Sequence, residues 1–194
     1  SLPLALARIE QIERALVPPT PAEATVGGAA APATASAPLA SASFASLLGN
    51  ASGSPMTTIA AAELGQAEQP PGSNDSPRIA QYRTATAGSG VGPWCAYFVS
   101  WVARQAGAPL GDHGEGFGSV DALYGWAQRT GRALPNGPGV VPRPGDLVVW
   151  DEHVGIVEQI LPGGRIQTLE GNSSDRVSRN VHDFSDALGF VRMS

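Results

Sequence analysis

An α+β domain behind a low-complexity arm is the fold class this sequence predicts, and three observations predict it. From Thr57 to Thr130 the apolar residues recur at helical spacing. From Pro144 to Arg192 the period changes to two, with turn residues between the runs. Helical segments followed by a meander of strands, rather than alternating with them, indicate helices packed on an antiparallel sheet. The third observation is residues 18–55, which are almost entirely Ala, Pro, Ser, Thr and Gly. Such a segment cannot bury enough apolar surface to offset its ordering entropy, so it reads as a disordered linker.

Composition bounds the function. The chain has 194 residues, enough for one domain and an extra segment. Its net charge of −5, with arginine as its only cationic side chain apart from histidine, excludes a broad basic surface for nucleic acid. No apolar run is long enough to span a membrane. One cysteine excludes an internal disulfide. The chain begins at Ser1, which reads as a trimmed start, so the sequence says nothing of an export signal.

In chain order, residues 1–17 read as a short helix carrying Leu4, Ile9, Ile12 and Leu16 on one stripe, stopped by Pro18-Pro19. The linker contains one apolar island, Ser43 to Leu48, a docking motif or a stray turn. The domain proper covers residues 56–194. Its first helix is expected over Thr57–Gln69, capped by Thr57 or Thr58 and stopped by Pro70-Pro71-Gly72. Ser76-Pro77 then opens a short helix through Ile79 and Tyr82, a capping side chain followed by proline at the first position.

Residues 84–92 form a loop that delivers the chain to Trp94 and Cys95. Phe98, Val99, Val102 and Ala106 lie three, four, seven and eleven residues after Cys95, on one helical face with it. Pro93 places the helix start at Trp94 or Cys95, and Gly107 and Pro109 end it. A cysteine in the first turn meets unpaired N–H groups and the positive end of the helix dipole, which favour thiolate. By itself this spacing fits a buried core cysteine as well as a nucleophile.

The glycine-rich run 111–118 lacks the preceding strand and the Gly-Lys-Ser/Thr of a phosphate loop. A helix is expected from Ser119 to Thr130, a loop over 135–142, and strands at 146–150, 153–160, 165–170, 177–182 and 188–192. Turns at 162–164 and 171–175 separate the middle three. If the strands flanking Pro162-Gly163-Gly164 pair, His153 and Glu170 end side by side at one rim, with Asn172 two residues on. Thiol, imidazole and an acceptor that orients the imidazole are the parts nucleophilic amide hydrolysis needs. His113 and His182 read as surface residues with no zinc-type spacing to Cys95. Asp146 reads as a structural turn residue, and Trp101, Trp126 and Trp150 as core.

Four blocks in order carry a family resemblance: Trp94 to Trp101, Pro142 to Trp150, His153 to Val157, and Glu170-Gly171-Asn172. They resemble the CHAP family of cysteine- and histidine-dependent amidohydrolases/peptidases, relatives of the NlpC-type and papain-like enzymes. The resemblance covers residues 56–194. It implies a papain-like fold, cleavage of an amide bond in peptidoglycan, and a bacterial, extracytoplasmic setting. Cys95 carries over as nucleophile, His153 as base, Glu170 as orienting carboxylate and Asn172 as the family's amide. The sequence departs from the family before the cysteine, where Pro93 and Trp94 replace the usual glutamine. The oxyanion is then left to the Cys95 N–H and a second donor, for which Asn74 and Tyr82 are candidates. Trp94 is placed in the substrate groove. No calcium-type Asp-x-Asp-x-Asp loop is present, and no metal or other cofactor is implied.

The resemblance thus implies peptidoglycan as the substrate, cut as by an N-acetylmuramoyl-L-alanine amidase or a stem-peptide endopeptidase. Rival readings are an amidohydrolase or deamidase acting on a protein, and an idle wall-binding domain. The N-terminal arm resembles leaders of wall hydrolases linked to flagella, which implies flagellar or wall-associated contacts.

Overall fold

The computed structural model describes residues 53–193. The N-terminal helix, the linker and the Phe44–Leu48 island expected from the sequence lie outside the described residues.

Among these, helices α1 (Pro55–Ala62), α2 (Pro77–Arg83), α3 (Cys95–Gln105) and α4 (Val120–Arg129) precede most of the sheet. Its strands are β1 (Ala133–Pro135), β2 (Leu147–Val149), β3 (Val154–Leu161), β4 (Arg165–Ser173), β5 (Arg176–Asp183) and β6 (Gly189–Val191). All neighbours pair antiparallel in the spatial order β1-β6-β2-β3-β4-β5. The α+β expectation holds.

The helix starts follow sequence chemistry. Ser76 Oγ accepts from the Ile79 N–H ahead of α2, and Ser119 Oγ accepts from the Ala122 N–H ahead of α4. The first helix corrects the expectation in both directions. Its cap is Ser54, whose Oγ accepts from the Met56 N–H, and it ends at Ala62 rather than Gln69. Beyond Glu63 the backbone leaves the helix to pair with the far edge of the sheet. The Gly65 N–H donates to Val177 O, the Val177 N–H to Gln66 O, and the Glu68 N–H to Asp175 O. Helical spacing in the sequence could not reveal that these groups have strand partners more than a hundred residues away.

Two further differences concern the sheet. β1 forms where no strand was expected, between the helix end at Thr130 and the loop over 135–142, because β6 supplies hydrogen-bond partners for Ala133–Pro135. β4 runs through to Ser173, where a turn at 171–175 was expected; a register shift between Glu170 and Ser173 absorbs the irregularity, with Asn172 at φ 60°.

The core divides by sheet face. Leu147, Val149, Ile156, Leu169 and Val191 join the helices in one cluster, which includes Trp94, Phe98, Val99 and Val102. Val148, Val157, Ile166 and Phe190 face the other way, against Ala187, Phe184 and Leu134. At Gly171 the sheet packs tightly on α3: a Cβ there would lie 2.5 Å from the Phe98 Cβ and 2.9 Å from the Trp94 ring. This close approach brings the start of α3 against the end of β4.

Candidate active site

Cys95 is the first residue of α3 and is almost fully buried, with 4% of its surface exposed. The residue before it, Trp94, gives the helix no side-chain cap. The first-turn N–H groups of α3 therefore have no partner from a cap. The thiol lies on a cleft of ≈410 Å³ whose walls include Tyr97, Ser119 and Val120, with the carboxylates of Asp121, Asp151 and Glu152 around it. Its sulfur is 4.0 Å from the Glu152 carbonyl oxygen.

His153 stands between the end of the β2–β3 turn and the first residue of β3. Its Nε2 donates to Glu170 Oε2 at 2.9 Å. That assignment leaves Nδ1 as the ring nitrogen free to serve Cys95, whose nearness is felt at the imidazole. Burial, the largest single influence, pulls the imidazole pKa down. The hydrogen bonds and charges of Cys95 and Glu170 outweigh it and push His153 up to about 9.

Glu170 lies on the sheet face opposite the helices, since Leu169 and Gly171 on either side of it face them. Its side chain is 3% exposed. Burial alone would raise its pKa. Donors from His153, Thr168 and His182, and the His153 charge, instead hold it down at about 2. Gly155 makes room for this carboxylate: a Cβ at 155 would lie 2.8 Å from Glu170 Cγ. The thiol thus sits on the helix side of the sheet, the carboxylate on the other, and His153 reaches both from the rim.

The structure brings Cys95, His153 and Glu170 together; the hairpin of β3 and β4 carries His153 and Glu170 to one rim, through a register shift between Val157 and Gln159 that the sequence reading did not include. Asn172 makes no hydrogen bond to His153 among the described residues, because its left-handed backbone lies within the β4 irregularity and Glu170 holds Nε2. Trp94 is fully buried, so it does not line a groove; its Nε1 donates to Glu68 Oε1 at 2.9 Å. Tyr82 is also fully buried, donates to Glu63 Oε2 at 2.6 Å, and packs against Trp94, Phe98 and Trp101. Its hydroxyl is committed to Glu63 and is no oxyanion donor. The Asn74 N–H donates to Glu68 Oε2 at 2.8 Å, on the same carboxylate as Trp94. Asp146 is buried and accepts from the Arg143 and Met193 N–H groups, the structural role expected.

Three side chains escaped the sequence reading. Glu68, 4% exposed, ties the residue before the cysteine to the Asn74 loop. Thr168 Oγ1 donates to Glu170 Oε1 at 2.5 Å. His182, read as a surface residue, places its Nε2 2.7 Å from the same oxygen. The β4–β5 pairing that sets His182 opposite Ile166 is the signal that could have found it, but a strand thought to end at Glu170 gives no register.

A buried thiol at an uncapped helix start, an imidazole between it and a carboxylate, and an adjoining cleft are the parts of a thiol-dependent hydrolase. Residues 86–172 match the CHAP domain family. CHAP domains are typically cysteine-dependent amidases or peptidases. Among solved structures the chain is similar to the peptidoglycan hydrolase RipB from Mycobacterium tuberculosis, at 17% identity and a TM-score of 0.42. That similarity covers 71% of this chain and 62% of the RipB chain, so less than two thirds of RipB's length is spanned. No curated protein matches the chain.

Proposed function

We propose that this protein is a peptidoglycan hydrolase that cleaves an amide bond through a cysteinyl acyl-enzyme. It acts as an N-acetylmuramoyl-L-alanine amidase or a stem-peptide endopeptidase outside the cytoplasm. The observation that carries the proposal is the Cys95–His153–Glu170 chain of contacts beside an open cleft. The CHAP match over residues 86–172 supports peptidoglycan as the substrate class.

In this reading the thiolate attacks the amide carbonyl, and the N–H groups of the first turn of α3 receive the developing oxyanion. His153, cationic below about pH 9, gives its proton to the leaving amine. Neutral again, it takes a proton from the water that hydrolyses the thioester, and Cys95 is released. Glu170 keeps the Nε2–H tautomer of His153 and balances its charge, the part the sequence divided between Glu170 and Asn172. No metal or other cofactor enters any step. No described helix is long and apolar enough to cross a membrane. Contacts with a flagellar or wall-associated partner are assigned to the N-terminal arm by its sequence resemblance.

The test is digestion of purified peptidoglycan, with the new ends identified by mass spectrometry. Free muramic acid lactyl groups and free L-alanine amines define the amidase. New amines and carboxyls within the stem peptide define the endopeptidase. Cys95→Ala is expected to release neither while unfolding at nearly the wild-type temperature. Intact peptidoglycan after treatment with the folded wild-type protein refutes the proposal and favours a protein substrate or a binding domain.

A further inference from the structure

Glu170 is a buried carboxylate whose charged or ionisable contacts, among the described residues, are both histidines. Its two oxygens are not equivalent. Oε2 takes the single bond from His153; Oε1 takes bonds from His182 Nε2 and Thr168 Oγ1. The terminal torsion of a glutamate is broad and soft. Packing alone therefore does not fix the plane of this carboxylate, and hydrogen bonds on the far oxygen do. His182 supplies one from the neighbouring strand β5, reaching along the sheet from opposite Ile166. The indole of Trp150 lies against both imidazoles, 4.7 Å from the His182 ring centre and 5.7 Å from that of His153. Gly155 leaves the space in which the carboxylate lies. The groups around Glu170 thus come from β3, β4, β5 and the segment after β2.

We propose that His182 is a positioning residue for the Cys95–His153 pair, acting through Glu170. It holds Oε1 so that Oε2 stays in line with His153 Nε2–H, and this keeps Nδ1 directed at the thiol. The inference rests on reading Cys95 and His153 as the reactive pair. It requires no particular substrate. His182 does not touch the reacting atoms, and its effect passes entirely through the carboxylate.

The experiment measures the rate at which iodoacetamide alkylates Cys95 in the full chain at pH 6, which needs no substrate. Thermal unfolding is recorded for each variant. His182→Ala is expected to slow alkylation by about three- to tenfold, the size of one ordinary lost hydrogen bond, since the effect reaches the thiol only through Glu170 and His153. His182→Gln restores most of the rate, because its amide N–H can reach Oε1. His182→Asn, which is polar but shorter, does not, and this pair carries the test if the alanine variant fails to fold. In a Glu170→Ala background the further change His182→Ala alters the rate less than about twofold, since the path is already cut. Wild-type alkylation in His182→Ala, equal rates for the Gln and Asn variants, or effects of the two substitutions that multiply would each overturn the proposal. Peptidoglycan digestion is run beside it. Intact wall together with the expected alkylation pattern refutes the hydrolase reading and leaves the positioning role standing. Digestion by the wild type with no response to His182 does the reverse.

Discussion

Replacing Glu170 with glutamine removes the charge that faces His153 while keeping the side chain's size. In the wild type, burial pulls His153 down and two partners, Cys95 and Glu170, lift it to about 9 from an ordinary 6.5. Taking away one of the two anionic partners is expected to lower the His153 titration midpoint by about one pH unit, ~1.4 kcal/mol less stabilisation of the imidazolium. Near pH 7 the ring remains mostly cationic, so the loss of activity there reflects orientation and is smaller than in His153→Ala. At pH 9 the fraction of imidazolium falls by about a further fivefold, so the alkaline limb of kcat/KM moves to lower pH. NMR titration of histidine-labelled protein reads the midpoint directly, and kcat/KM from pH 5 to 10 reads its consequence. An unchanged midpoint and an unchanged alkaline limb would refute the claim that the carboxylate's charge, rather than the thiol alone, keeps His153 protonated.

The remaining expectations follow from the same site. Glu170 is held at about 2 in the folded chain against an ordinary 4.5, so its contribution is present above pH 4.5 and is lost as the pH falls towards 2. It amounts to about 3 kcal/mol, counted once with His153 because the two share one interaction, and the wild type's stability advantage over Glu170→Gln in urea should narrow from pH 6 to pH 3. Gly155→Ala sets a methyl group 2.8 Å from a Glu170 Cγ whose carboxylate is pinned by three donors. It should cost about 1–3 kcal/mol and lower kcat more than it raises KM. Wild-type kcat and melting temperature would show that the carboxylate yields freely. Glu68→Ala leaves the buried Trp94 Nε1–H without its acceptor, so chemical denaturation should show a loss of about 1–3 kcal/mol, while Glu68→Gln, which keeps an acceptor, should lose less.

Much of the site was legible because its signals are local. Pro93 before a helical run of apolar residues fixes the start of α3, so Cys95 falls in its first turn whatever the rest of the chain does. Pro162-Gly163-Gly164 between two period-two runs fixes a hairpin that carries His153 and Glu170 to the same end, while the irregularity between Val157 and Gln159, which the sequence does not mark, sets Glu170 beside Gly155 and within reach of His153. The glycine-rich loop and the helix from Val120 to Arg129 were likewise marked by residues within a few positions of their ends. Each of these depends on short-range steric preference and on the side-chain period.

What the sequence could not decide depends on partners distant along the chain. Helical spacing runs on past Ala62, yet Gly65, Gln66 and Glu68 leave the helix because strand groups at 175–177 take their hydrogen bonds. Trp94 and Tyr82 have types and positions suited to a groove. Glu68 and Glu63 bury them by accepting their polar hydrogens, and an aromatic side chain so satisfied gains more in the core than at a surface. His182 shows the same limit at the Glu170 carboxylate. Sequence determines that Cys95 opens a helix and that His153 and Glu170 share a hairpin, because both are consequences of neighbouring residues. Only the tertiary structure, through the register of β5 on β4, decides that a second histidine completes the carboxylate's hydrogen bonds, because a strand's register is set by the whole sheet it joins.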